Sequence, residues 1–161
     1  MKRLLLLSLL LTGTCFAQKA TSVYTSTAMK DVKILSSSEL LCKGEGGYEL
    51  LHRIGDIRSW IDVRFKGTTS DLYSATMQSG RGMFVAKQND VVEWRGTMKD
   101  DVFTPYAIIY RVLAQNRDNP DKNNSTLIVV ALNEGKAKIL GTTHGKDEDA
   151  EAKNLADTAA P

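Results

Sequence analysis

Two runs, residues 106–113 and 127–132, constrain the fold of this 161-residue chain more than any other feature, because each is apolar on both faces. In the first, Tyr106, Ile108, Tyr110 and Val112 alternate with Ala107, Ile109 and Leu113, and Arg111 is the single charge. Side chains of a strand alternate between faces, so a run apolar at every position needs cover on both sides and belongs inside a sheet. The second run reads the same way, and residues 136–140 pair with it across a turn at Asn133-Glu134-Gly135.

Upstream, residues 48–54 and 57–65 flank Gly55-Asp56 and read as a tight hairpin. Ile57, Ile61, Val63 and Phe65 take one face of its second arm, and Arg58, Asp62 and Arg64 the other. Trp60 falls on the charged face, where it either marks a binding surface or packs on a neighbouring loop. Residues 31–35 and 36–42 read as extended and lead into Lys43-Gly44-Glu45-Gly46-Gly47. That stretch lacks the GK[ST] ending of a phosphate loop, so it reads as a turn needing positive φ. Residues 66–77 read as the longest loop, followed by a turn at residues 79–82 and strands at 83–86 and 91–95.

The period changes near the end of the chain. Ala152, Leu155, Ala156 and Ala159 recur at the spacing of one helix face, and Asp147-Glu148-Asp149 puts negative charge where it favours the helix dipole. The expected fold is a β-rich α+β domain, an antiparallel sheet or sandwich-like arrangement capped by one C-terminal helix.

Residues 1–17 read as a secretory signal peptide: Lys2 and Arg3, an apolar run at 4–11 broken by Ser8, then Cys15-Phe16-Ala17 at the cleavage site. The run is too short to span a bilayer, and Thr14 before Cys15 argues against a lipid anchor. Residues 18–29, polar and aperiodic, read as a flexible leader, and 30–161 as a single globular domain. Cleavage near Ala17 takes the 21 basic residues to 19, equal to the 19 acidic ones, and such a balance disfavours nucleic acid as a partner. The expected location is the periplasm or medium. There Cys42 stands alone, so no internal disulfide is expected; it is a buried apolar group or the link of a Cys42-bridged dimer. His52 and His144 are the only histidines, and neither a metal site, a cofactor nor a catalytic group is expected from their spacing.

The candidate binding residues are Arg58, Trp60, Glu93, Trp94, Arg95 and Arg111. On a strand Glu93 and Arg95 share a face, and with Arg58 and Arg111 they would form a polar patch able to bind an envelope glycan or protein, namely an anionic sugar, a peptidoglycan stem or a partner protein; the alternative is a ladder of structural ion pairs. The leading expectation is an exported, non-enzymatic binding module. Two others remain open: an envelope or carbohydrate hydrolase using paired carboxylates among Asp56, Asp62 and Glu93, and a protein inhibitor presenting residues 67–77 as an exposed loop.

Cys42 with Gly46-Gly47-Tyr48, then Asp56-Ile57-Arg58-Ser59, Val92-Glu93-Trp94-Arg95, the run from Pro105 to Arg111, and Ala152-Lys153-Asn154-Leu155-Ala156-Asp157 form an ordered series. It resembles that of a group of small secreted alphaproteobacterial proteins whose activity is uncharacterised. The resemblance implies an exported bacterial domain and supplies no catalytic residue. Such relatives often carry further cysteines around the strand matching residues 137–140 and at the C-terminus, and this chain has none there.

Overall fold

In a computed structural model, which describes residues 19–161, the chain forms ten strands and two α-helices. The strands are β1 (Ala20–Ser26), β2 (Lys33–Ser36), β3 (Glu39–Lys43), β4 (Tyr48–Gly55), β5 (Arg58–Phe65), β6 (Thr68–Ser70), β7 (Met83–Lys99), β8 (Val102–Gln115), β9 (Asn123–Asn133) and β10 (Lys136–Thr143). Helix α1 (Tyr73–Ser79) lies between β6 and β7, and α2 (Glu148–Asp157) follows β10. Residues 1–17, read above as a signal peptide, lie outside the described residues.

Two antiparallel five-stranded sheets result, ordered β1-β7-β8-β9-β10 and β2-β3-β4-β5-β6. The fold is therefore the β-rich α+β class with a C-terminal helix. Strand β8 is the centre of the first sheet, which explains its double apolar pattern. Ile108, Tyr110 and Val112 join Trp94 and Val92 of β7 and Ile128 and Val130 of β9 against Leu50, Ile61 and Val63 of the second sheet. Its other face, through Ala107 and Ile109, packs with Val129 beneath Ala152 and Ala156 of α2. Both helix alanines are fully buried, so the helix approaches the sheet closely, and Glu148, Asp149 and Glu151 occupy its first turn.

Three hairpins turn on two residues that both have positive φ: Lys66-Gly67, Asp100-Asp101 and Glu134-Gly135. Mirror-type turns of this kind match the twist of the strands they join. The first converts the expected 66–77 loop into β6, and α1 follows with Leu72 and Thr76 turned inward; Thr76 Oγ1 lies 3.3 Å from Tyr110 Oη. A single helical turn or two is too short to show as a period.

Other expectations are corrected. The stretch read as a leader is β1, paired along its length with β7 from Ala20↔Thr97 to Ser26↔Val91. It escaped notice because its partners are polar: Thr25 Oγ1 accepts a hydrogen bond from Trp94 Nε1 at 2.8 Å, and Ser22 bonds to Glu93 and Arg95. The two short strands at 83–86 and 91–95 are one element, β7, with its register irregular between Lys87 and Val92. In the β4–β5 hairpin Gly55 pairs with Arg58, so the turn residues are Asp56 and Ile57, and Ile57 is 57% exposed rather than on the apolar face. Finally, Arg95 pairs with Ala107 but Gly96 with Pro105, leaving Tyr106 as an extra residue. That bulge reverses its parity, so Tyr106 joins the cluster under α2 instead of lining the core with Ile108.

At the edge of the second sheet, β2 is four residues long, begins with Lys33, and slips register against β3 between Ile34 and Ser36. All four of its residues are exposed.

Candidate functional site

The residues singled out from sequence do not come together as one patch. Trp94 is fully buried in the core between the sheets. Glu93 and Arg95, on the opposite face of β7, meet α2. Arg95 donates through Nε and Nη2 to the two carboxylate oxygens of Asp157 at 3.0 and 2.7 Å, and through Nη1 to Ser22 Oγ at 2.7 Å. Tyr106 Oη donates to the same Asp157 at 2.7 Å, and Glu93 accepts from Ser22 Oγ at 2.5 Å with Lys153 Nζ 3.9 Å away. Arg111 reaches the other end of the helix, bonding Glu148 and Ser125 Oγ, each at 2.6 Å. These side chains fasten α2 to the sheet at both ends.

The electrostatics follow from that geometry. Burial opposes ionisation of Asp157, but hydrogen bonds from Arg95 and Tyr106 and the Arg95 charge together hold its carboxyl below the usual range. Arg95 is raised by its bond to Asp157. Burial, then the bond to Asp157, pushes the Tyr106 phenol up to about 12.

Arg58 lies apart, in the other sheet, 3.5 Å from Asp56 and with its guanidinium 5.5 Å from the Phe84 ring centre. Trp60 is half-buried and meets Tyr73 edge to face at 4.7 Å. The three acids considered for paired catalysis are likewise separated: Asp56 is in the hairpin turn, Glu93 is under α2, and Asp62 accepts bonds from Arg53 Nε and the Leu72 amide on β5's flank. Residues 67–77 are strand and helix rather than a projecting loop. Cys42 is fully buried; burial raises its thiol pKa, and a bridge to a second copy would need it exposed.

What the structure does assemble is a cleft of about 910 Å³ at the end of the sandwich reached by Phe65. Tyr48, Phe65, Phe103, Pro105, Tyr106 and Leu132 supply its apolar walls, with Ala159 and Pro161 at its rim. Tyr48 stacks on Phe65 at 4.4 Å and lies 6.4 Å from Trp94, so the core tryptophan backs the cleft wall. Gly46 closes one side: it has φ +59°, and a Cβ there would fall 2.4 Å from Pro105 Cδ. Only glycine allows both that backbone and that approach. Volume and lining match those of sites for small apolar ligands. Gly46-Gly47-Tyr48 and Pro105-Tyr106 were visible in the sequence, but nothing in it joined them to Phe65, Phe103 and Leu132.

Fold and site together define a two-sheet antiparallel sandwich with a helix on one outer face and an apolar cleft at one end. Comparison with protein-family models, curated proteins and solved structures finds no match.

Proposed function

We propose that this protein is an exported, non-enzymatic binding module whose end cleft takes an apolar group, such as the hydrocarbon portion of an envelope component. The observation that carries the reading is the cleft itself: an aromatic and aliphatic surface drawn from β4, β5, β8 and β9. Burying apolar ligand surface there is favourable at about 25 cal/mol per Å². Export is supported by the composition of residues 1–17. Among the described residues no helix is long and apolar enough to cross a membrane.

The test is titration with Nile red, a neutral apolar dye, of the wild-type protein and of Ala159→Trp, which places an indole at the cleft rim. Saturable fluorescence enhancement that weakens about tenfold in A159W, with unchanged thermal unfolding, is expected. Absence of saturable binding, or equal binding by both proteins, refutes the cleft as the site.

A further inference from the structure

A second cleft, of about 430 Å³, lies at the opposite end of β5 on the outer flank of its sheet. Trp60 and Tyr73 form one wall, and Arg53, Asp62, Asp71 and Ser38 supply polar groups. We infer that this cleft is a carbohydrate subsite for a neutral or N-acetylated sugar ring, independent of the apolar cleft.

Three features select that chemistry. The first is the aromatic pair. An aromatic face is electron-rich and attracts the weakly positive C–H bonds that line one face of a pyranose. Trp60 and Tyr73 meet edge to face, which leaves the two rings at an angle of 63° rather than stacked on each other. The second is the alternation of donors and acceptors. Arg53 uses Nε for Asp62 Oδ2 and Nη1 for Glu39, which leaves Nη2 as a donor; Asp71 uses Oδ1 for the Tyr73 amide at 2.8 Å, which leaves Oδ2 as an acceptor. Adjacent donors and acceptors of this kind are what a ring of hydroxyls pairs with.

The third feature is charge. Asp62, Asp71 and Glu39 set three carboxylates against the single Arg53 guanidinium. That excess repels phosphates, sulfates and uronic acids, so this cleft favours an uncharged glycan, in contrast to the anionic sugar expected from sequence for the arginine patch. Hydrolysis is not part of the inference, because both oxygens of Asp62 already accept hydrogen bonds, from the Leu72 amide at 2.9 Å and from Arg53 at 3.1 Å.

The experiment follows tryptophan fluorescence and titration calorimetry with chitotriose, maltotriose and glucuronic acid. With Trp94 buried in the core, Trp60 is the indole that a bound sugar can reach. Binding of at least one neutral oligosaccharide is expected, weakened about tenfold or more in Trp60→Ala and in Tyr73→Ala, and unchanged in Ala159→Trp. Tyr73 is exposed, so Y73A keeps the test valid should W60A unfold. No binding of either neutral oligosaccharide, or binding that survives Y73A, overturns the inference. Preference for glucuronic acid overturns it too, as does binding of oligolysine in place of both sugars, which would make the cleft a site for basic peptides. Failure of Nile red binding with retention of sugar binding would refute only the apolar cleft.

Discussion

Acid should destabilise this protein through His52 well before its carboxylates are titrated. The imidazole faces the core from β4, between its cross-strand neighbours Leu40 and Ile61, and both ring nitrogens are buried without hydrogen-bond partners among the described residues. Burial, then the positive charge of Lys87, lowers its pKa from 6.5 to about 4, with Asp90 opposing. The unfolded chain therefore takes up a proton near pH 6.5 that the native state refuses until about pH 4. Stability from this group is complete above pH 6.5 and lost progressively down to pH 4. A difference of two and a half pKa units corresponds to about 3 kcal/mol over that window. The assay is urea unfolding of wild type and His52→Leu at intervals from pH 7.5 to pH 4. Asp62, whose pKa burial raises, acts in the opposite sense, since its protonation on acidification favours the native state. That term is common to both proteins and drops out of their difference. The gap between H52L and wild type should widen in favour of H52L by about 3 kcal/mol as the pH falls. Parallel pH profiles would refute the reasoning.

Three further outcomes are expected. Asp157→Ala leaves the buried Arg95 guanidinium without its carboxylate, and because Asp157 is itself about one-third exposed the expected cost is about 2 kcal/mol, read as faster hydrogen exchange in α2; unchanged α2 protection would refute the clasp. The same contact predicts alkaline lability: with Tyr106 raised from 10.0 to about 12, its contribution is intact below pH 10 and lost as pH rises towards 12, and Tyr106→Phe should flatten that limb. Gly44→Ala would place a Cβ 2.4 Å from the Tyr48 carbonyl and 2.7 Å from the Trp94 ring, so urea unfolding should show a loss of about 1–3 kcal/mol; wild-type stability would refute the tight packing.

Much of the fold was legible because its signals are local. The doubly apolar β8 and β9, the β4–β5 hairpin and the α2 alanine face each announce themselves within a dozen residues. The failures share a physical cause, which is that the deciding partner lies far along the chain. Strand β1 looks like a polar tail until Glu93, Trp94 and Arg95 are seen to satisfy its serine and threonine hydroxyls some 70 residues away. The Tyr106 bulge exists only relative to Arg95 and Gly96 of β7. The candidate site was least legible for the same reason. The charged residues flanking Trp94 stand out on a strand, yet they bind α2, whereas the apolar cleft draws single residues from elements that no local pattern links. Trp60 stands out in the sequence, but its companion Tyr73 lies in the 66–77 stretch that reads as loop, so no local pattern joins the two.

The irregular pairing of β2 has a colloidal consequence. Ile34 and Leu35 expose their side chains on an open sheet edge, at 62% and 42%, the arrangement from which strand-to-strand aggregation starts. A second copy could add to that edge only over four residues, beside a lysine and across a register slip, too short and too twisted a template for fibril growth. Strand addition at this edge is thus confined to a four-residue template broken by a register slip, although it carries two exposed apolar side chains.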